Sequence, residues 1–192
     1  MYPSPGILEV LCGLLVLTKN QLWITCYCFD SSEGTAVLGT LMRKGVQILM
    51  LMDEHNMRTP SCRRQFDRML DLMRGATGNG GSITVKQLRP AKHHRGFSSM
   101  HVKSWLADAQ VYIGGSYNFT YNAEVANAEH LVVATEYNVI TVHKDWFLGL
   151  WDRATLVTVE MVEYHRDKEL ARTSRSATRS EPRDRRGGSD HD

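Results

Sequence analysis

Short apolar runs alternate with amphipathic segments along the first half of the chain. Residues 22–29 and 46–52 are rich in β-forming side chains and predict two buried strands. Between them, Ser31 and Ser32 offer N-caps to a helix that continues to about Arg43, with Gly45 as the expected stop. A strand, a helix and a second strand in this order predict parallel pairing through a right-handed crossover.

Two more helices and a third strand extend this unit. Residues 6–17 predict a buried amphipathic helix. This apolar stretch has about 12 residues, too few to span a bilayer, and no other segment of the sequence resembles a transmembrane helix. Thr59-Pro60 predicts the start of a helix that Gly75 ends. Residues 83–88 predict the third strand.

The second half of the chain predicts three more strands, at residues 98–104, 109–115 and 129–135, followed by a helix over about 138–153. In that helix we expect one apolar stripe to face the core, with further apolar residues beside it; the stripe consists of Val139, Val142, Trp146 and Leu150.

The C-terminal segment has a different composition from the rest. Residues 161–192 are predicted to form a disordered charged tail, because from residue 165 onwards large apolar side chains are almost absent. The folded domain is therefore expected to comprise residues 1–160.

Charge and cysteine content narrow the range of functions. The formal net charge is +2, and residues 1–164 contain 15 basic and 15 acidic side chains, which does not indicate a broad basic surface for long nucleic acid. The four cysteines form no CxxC pair, so a structural zinc site has no support and reduced, mostly buried thiols are expected.

His101 and Lys103 are the first residues with candidate chemistry. They are two apart in a predicted strand, so both side chains should point to one face while Met100 and Val102 point into the core. An imidazole beside an ammonium suits attack on a phosphodiester, because the lysine neutralises a phosphate oxygen while the histidine reaches phosphorus. The cation also favours the neutral, nucleophilic imidazole.

Polar residues near the ends of the next strands complete the candidate site. Gly115 permits a tight turn at the end of a predicted strand, and Ser116 and Asn118 follow it and supply neutral hydrogen-bond donors. Glu129 opens the following strand and is expected to accept a proton from the far side of the imidazole. Asp108 ranks last among the candidate catalytic residues, because a structural role suits it better than proton transfer.

The spacing of these residues resembles a known family. His101-x-Lys103, four residues, Asp108, six residues, then Gly115-Ser116-x-Asn118 is similar to the HKD signature of the phospholipase D superfamily. Glu129 stands where that family places its acidic partner. The resemblance covers about residues 6–153 and is strongest to small single-motif members, namely bacterial endonucleases and mitochondrial cardiolipin hydrolase or Zucchini-type proteins. It implies an α/β fold with a central mixed sheet flanked by helices.

The resemblance also implies metal-independent hydrolysis in two steps, with no cofactor. One histidine attacks phosphorus to form a phosphohistidine, and a second protonates the leaving oxygen and then activates water. Lys103, Ser116 and Asn118 would hold the phosphate. Since the chain has one such signature and is too short for a second copy of the domain, a homodimer sharing one active site is implied.

Three functions stay open from the sequence. The first is phospholipid hydrolysis of the cardiolipin hydrolase type, with peripheral membrane contact and, by resemblance, a location at the mitochondrial surface. The second is cleavage of single-stranded RNA or DNA, which would need a positive groove built from residues such as Arg63, Arg64, Lys92 and Arg95. The third is a catalytically inactive module that binds a membrane or RNA.

Overall fold

Our computed structural model describes residues 6–58, 64–75, 80–89 and 99–179. In chain order, the strands in these ranges are β1 (Gln21–Cys26), β2 (Gln47–Asp53), β3 (Ser82–Leu88), β4 (Ser104–Ala107), β5 (Val111–Gly115), β6 (Leu131–Ala134) and β7 (Thr155–Leu156). The helices are α1 (Ile7–Leu15), α2 (Ser32–Arg43), α3 (Glu54–Arg58), α4 (Arg64–Arg74), α5 (Tyr121–Val125), α6 (Tyr137–Trp151) and α7 (Val159–Arg179).

The strands in the described ranges form one mixed sheet in the order β6-β5-β4-β1-β2-β3-β7. β1, β2 and β3 are parallel, with Trp23 opposite Leu49. The remaining pairs are antiparallel, and Trp23 lies opposite Leu106 across the β1–β4 pair. The predicted α/β class, the parallel pairing of the first strands and the mixed sheet are therefore confirmed.

The two faces of the sheet carry separate hydrophobic clusters. The larger one joins α1, α2 and α4 to the sheet through buried residues such as Leu11, Leu38, Ile48 and Phe66. The smaller one lies under α6 and is made of Trp23, Leu51, Leu106, Ile140 and Phe147. Helices on both faces bury most of β1 and β2, as parallel strands require.

The boundaries of α2 follow from its sequence. The Ser31 hydroxyl accepts a hydrogen bond from the Gly34 N–H at 3.0 Å, which satisfies one free donor of the first turn. At the other end Gly45 has a φ of 92°, a left-handed conformation that suits glycine and stops the helix. Both signals were read correctly from the sequence.

The predicted core stripe of α6 is wrong. Val139, Val142 and Trp146 are 41%, 70% and 36% exposed, whereas Ile140 and Phe147 are buried. The Phe147 ring stacks on Trp23 with centroids 5.0 Å apart, and this contact sets the rotation of the helix. Apolar residues surround α6 on several sides, so the position of the sheet, rather than the helix pattern, decides which of them are buried.

The predicted disordered tail is wrong for residues 161–179, which belong to α7. Val162 is buried against the larger cluster, and Glu163 pairs with Arg74 of α4, so the first turns of the helix are anchored. Later turns contain an i,i+3 ion pair between Arg172 and Glu169. The remainder of the predicted tail, 180–192, lies outside the described residues.

Candidate active site

The candidate catalytic residues gather at one edge of the sheet. The parallel strands β1 and β2 end there, at Cys26 and Asp53. β4 is antiparallel to β1, with Ser104 opposite Thr25, so the residues that precede β4 lie beside the end of β1. β5 is antiparallel to β4, with Gly114 opposite Ser104, and its last residues reach the same edge.

His101 and Lys103 lie before β4 and not in a strand. The strand predicted at 98–104 is wrong in its position, since residues 99–103 have no regular structure and β4 begins at Ser104. The predicted alternation therefore fails in part: Met100 is buried, but Val102 is 37% exposed.

Asp53 holds this irregular segment in place. Its buried carboxylate accepts a hydrogen bond from the Met100 N–H at 2.8 Å and another from the Asn56 N–H at 2.9 Å. Removing such a buried charged acceptor would leave two backbone donors unsatisfied. The backbone directly before His101 is thus fixed to the end of β2.

The Lys103 side chain folds back onto His101. Its Nζ lies 2.9 Å from Nδ1 of the imidazole and donates a hydrogen bond to the His101 carbonyl oxygen at 2.8 Å. Only 4% of Lys103 is exposed, although it carries a cationic head group. The predicted proximity of imidazole and ammonium is therefore present, produced by a backbone turn rather than by strand alternation.

This contact assigns the proton on the imidazole. An ammonium is only a donor, so Nδ1 must be the acceptor, and a neutral His101 then carries its proton on Nε2. In this state the free lone pair is on Nδ1, and Nε2 is not nucleophilic. Nε2 becomes the nucleophilic nitrogen when Lys103 turns to a substrate phosphate and the ring exchanges its Nε2 proton for one on Nδ1.

The electrostatics favour a neutral imidazole. Partial burial lowers the pKa of His101, the Lys103 ammonium lowers it further, and Asp53 acts in the opposite direction. Burial likewise lowers the pKa of Lys103, against the opposing effects of Cys26, Cys28 and Glu129. A neutral histidine near pH 7 is the form that attack on phosphorus requires.

Tyr27 forms one wall of the site and was missed by the sequence analysis. Its ring meets the His101 ring edge-on with centroids 4.7 Å apart, and Lys103 Nζ lies 5.4 Å from the centre of the same ring. Burial raises the pKa of its hydroxyl. Its place in the sequence could have indicated a role in the site. Tyr27 and Asp53 lie at the carboxyl ends of adjacent parallel strands, where functional sites of α/β folds form.

Asn118 contacts the same loop after β1. Its Oδ1 accepts a hydrogen bond from the Cys28 N–H at 3.4 Å. The loop is supported from below by buried Asn56, whose Nδ2 donates to the Tyr27 carbonyl oxygen and lies 2.8 Å from Cys28 Sγ. The structure therefore places Asn118 against the loop that carries Tyr27, and its predicted role in holding phosphate stays a prediction.

Ser116 and Glu129 are in direct contact. The Ser116 hydroxyl donates to the Glu129 carboxylate and accepts from the His130 N–H at 3.2 Å. Asn127 Nδ2 donates to the other Glu129 oxygen at 3.0 Å. The structure thus brings Glu129 close to Ser116 and within electrostatic reach of Lys103; its expected hydrogen bond to the imidazole stays a prediction.

Gly115 is needed for close packing at this point. A Cβ there would collide with the His130 carbonyl oxygen and the start of β6. The sequence analysis attributed this glycine to a tight turn. The structure gives a different reason, namely the close approach of two strands.

Asp108 lies at the opposite end of β4 and outside the site. Its carboxylate accepts three backbone N–H groups, from Lys19 at 2.8 Å, Asn20 at 2.8 Å and Gln21 at 3.0 Å. Burial alone would raise the pKa of this carboxyl, but the three donors outweigh it and the pKa is lowered. Its listing as a catalytic candidate is therefore wrong, and its predicted structural role fits what the side chain does.

Several predicted residues lie outside the described ranges, namely Arg63, Lys92 and Arg95 of the expected basic groove. Arg64 is described and begins α4, where its guanidinium lies 6.0 Å from the centre of the Tyr121 ring.

In the described part of the chain, no three His, Cys, Asp or Glu side chains cluster in a way that could hold a metal ion. No helix among the same residues is long and apolar enough to cross a membrane.

Comparison with known proteins agrees with this geometry. The family described as "Cardiolipin synthase, PLD-like domain" matches residues 11–151. This chain belongs to the phospholipase D-like family. The match includes His101, Lys103, Asn118 and Glu129, and it ends before α7 begins.

Two relatives match this chain in sequence at low identity, and one solved structure has the same fold. Mitochondrial cardiolipin hydrolases of Danio rerio and Chlamydomonas reinhardtii are 23% and 26% identical, over 72% and 78% of this chain. The chain spans only 54% and 59% of the length of these relatives. The crystal structure of the phospholipase D family member Nuc from Salmonella typhimurium superposes with a TM-score of 0.65 at 19% identity, covering 78% of this chain and 89% of Nuc.

Proposed function

We propose that this protein is a metal-independent phosphodiester hydrolase that forms a phosphohistidine on His101. The observation that carries the proposal is the Lys103 ammonium 2.9 Å from His101 Nδ1, at a sheet edge that also holds Asn118, Ser116 and Glu129. A phosphate entering this site meets a cation, neutral donors and a neutral imidazole together.

In the first step Nε2 of His101 attacks phosphorus, after the substrate phosphate has drawn Lys103 away from Nδ1. The new P–N bond replaces the P–O bond to the leaving alcohol. The departing oxygen takes a proton from Nε2 of a second His101, which another copy of the chain supplies in its protonated imidazolium form and which is left as the neutral imidazole. Lys103 and Asn118 stabilise the charge that develops on the equatorial oxygens.

In the second step water attacks the phosphohistidine and gives its proton to the His101 of the other copy. The P–N bond breaks, and the phosphate product leaves with its new oxygen. Both steps need imidazoles on opposite sides of one phosphorus. One HxK signature per chain therefore supports a homodimer whose two-fold axis passes through a shared site.

A phospholipid is the first candidate substrate. Support comes from the curated relatives of the matched region, which are named mitochondrial cardiolipin hydrolase. On this view the chain works at the mitochondrial surface through peripheral membrane contact. Single-stranded nucleic acid is the second candidate, favoured by a groove between α3 and α7 that is lined by Arg58, Lys168 and Arg175.

A side-by-side assay in EDTA tests the proposal. Purified protein is offered cardiolipin liposomes and single-stranded RNA, with His101→Asn as the inactive control. We expect one of the diesters to be cleaved without metal, and a denatured sample trapped during turnover to contain phosphohistidine. Cleavage of RNA alone would exclude the lipase, and cleavage of neither would identify an inactive binding module.

The shared site has its own test. Mixing wild-type protein with excess His101→Asn and allowing the subunits to exchange should reduce activity below that of the diluted wild type, because mixed dimers lack one of two required imidazoles. The dimer would be contradicted if activity fell only in proportion to the wild-type fraction. It would also be contradicted if light scattering showed a monomer and that monomer turned over substrate.

A further inference from the structure

A second concave surface lies between α3 and α7. This α3–α7 groove has a volume of about 800 Å³, and its wall is formed mainly by His55, Arg58, Tyr164, His165, Lys168 and Arg175. None of these residues belongs to the catalytic set. The phosphodiesterase mechanism therefore leaves the groove without a role.

The groove is basic. Its lining contains four cationic side chains, including Lys168 and Arg175, and one carboxylate, Glu169. Arg172 donates to both Glu169 oxygens, at 2.8 and 2.9 Å, so this pair is internally neutral. Arg58 pairs with Glu54 at 2.7 Å, so its charge is also balanced, and Lys168 and Arg175 supply the positive charge of the lining that attracts phosphates.

His165 lies in this positive field. Burial lowers the pKa of its imidazole first, and the charges of Arg58 and Lys168 lower it further. Cations from two different helices therefore act on one point of the groove, as a site for an anion requires.

Aromatic rings accompany the cations. Tyr164 is 62% exposed, and its ring meets that of His165 edge-on with centroids 5.2 Å apart. An exposed aromatic side chain among basic ones is the composition of surfaces on which unpaired bases stack. A lipid surface would instead favour protruding aliphatic side chains, and Ala171 is the aliphatic residue of this lining.

The groove is preformed and adjoins the catalytic edge. α7 is anchored by buried Val162 and by the ion pair between Glu163 and Arg74. α3 begins at Glu54, directly after Asp53, whose carboxylate holds the Met100 N–H beside His101. α3, which carries His55 and Arg58 of the groove, is thus joined directly to the residue that holds the segment before His101.

We propose that the α3–α7 groove binds single-stranded nucleic acid, with phosphates on Lys168 and Arg175 and a base on Tyr164. Only the delivery of a bound strand to His101 rests on the proposed hydrolase function. Binding itself requires no turnover, so the two ideas can fail separately.

Fluorescence anisotropy with labelled single-stranded RNA of mixed sequence tests binding, using full-length His101→Asn to prevent cleavage. Lys168→Ala/Arg175→Ala is compared with Arg153→Ala/Arg166→Ala, which removes the same charge outside the groove lining. We expect the groove variant to bind about tenfold more weakly and its log Kd–log salt slope to fall by about 1.4, since each lost phosphate contact removes about 0.7. Tyr164→Ala should weaken binding about tenfold with an unchanged slope.

Equal losses in the groove and control variants would overturn the proposal, because they would indicate a diffuse charge effect. So would an unchanged salt slope in Lys168→Ala/Arg175→Ala. Vesicles of cardiolipin in phosphatidylcholine form a second arm, and a groove variant that loses vesicle binding but keeps RNA binding would assign the groove to a membrane instead. RNA cleavage lost in His101→Asn while RNA binding persists separates the catalytic function from the groove.

Discussion

The ring of Tyr27 packs edge-on against the imidazole of His101, with centroids 4.7 Å apart. Lys103 lies near the same ring and 2.9 Å from His101 Nδ1, so the imidazole is held between an aromatic wall and a cation. Both neighbours reduce the freedom of the imidazole to rotate, and its orientation toward a substrate depends on them.

Replacing Tyr27 tests this wall. Tyr27→Leu should lower kcat about tenfold, because the edge-on contact is lost and the imidazole can turn away from phosphorus. Tyr27→Phe keeps the ring and is expected to stay within about twofold of wild type. Steady-state kinetics on a soluble phosphodiester would measure both, and equal losses in the two variants would point to the hydroxyl instead.

Replacing Lys103 should change both the rate and its pH dependence. Lys103→Gln removes a cation that stabilises the transition state, so kcat should fall roughly 10²–10³-fold. The same cation lowers the pKa of His101, and its loss raises that pKa, which moves the acidic limb of the kcat/KM profile to higher pH. Burial lowers the pKa of His101 more than Lys103 does, so removing Lys103 restores only part of the ordinary pKa. An acidic limb that moves to lower pH would contradict the contact between Lys103 and the catalytic imidazole.

His143 makes stability sensitive to acid. Burial lowers its pKa from 6.5 to about 4, and its Nε2 lies 3.3 Å from the Ser104 hydroxyl. Between these pH values the unfolded chain binds the proton more readily, so the free energy of unfolding should fall by roughly 2–3 kcal/mol as the pH drops from about 6.5 to about 4. Urea titrations across this range should show the fall in wild type and in the surface control His130→Gln, and a smaller one in His143→Phe.

Asp108 should affect stability and leave turnover unchanged. Asp108→Ala removes the acceptor of three backbone N–H groups and should cost about 2–3 kcal/mol of unfolding free energy. Asp108→Asn keeps one oxygen acceptor and tolerates the φ of 50°, so it should cost less. In both variants we expect kcat per folded molecule to stay within about twofold of wild type. A hundredfold loss of kcat would indicate that Asp108 takes part in catalysis.

The sequence was most informative where local and long-range signals agree. Ser31 and Gly45 marked the ends of α2, and the apolar runs located β1 and β2, because buried parallel strands must be apolar on both faces. Two contacts within the signature region are present in the structure, His101 with Lys103 and Ser116 with Glu129, because β4 and β5 are antiparallel and bring the residues that flank them to one edge of the sheet.

It was least informative where tertiary contacts decide between local alternatives. α6 has apolar residues on several sides, and only the stacking of Phe147 on Trp23 selects its buried face. The segment before β4 has a strand-like composition, but the Asp53 carboxylate takes the Met100 N–H that a strand would have used. α7 is mostly polar, and its order depends on the burial of Val162.

The short strand β7 has a consequence beyond its own two residues. Thr155 and Leu156 pair with Gln87 and Lys86, and the Val157 N–H donates to Val85, so the rim of the sheet at β3 is capped by the connection from α6 to α7. Trimming the chain before Thr155 would uncover a flat row of backbone donors and acceptors. Such an open rim recruits other chains edge to edge, and the trimmed protein would polymerise rather than remain dispersed.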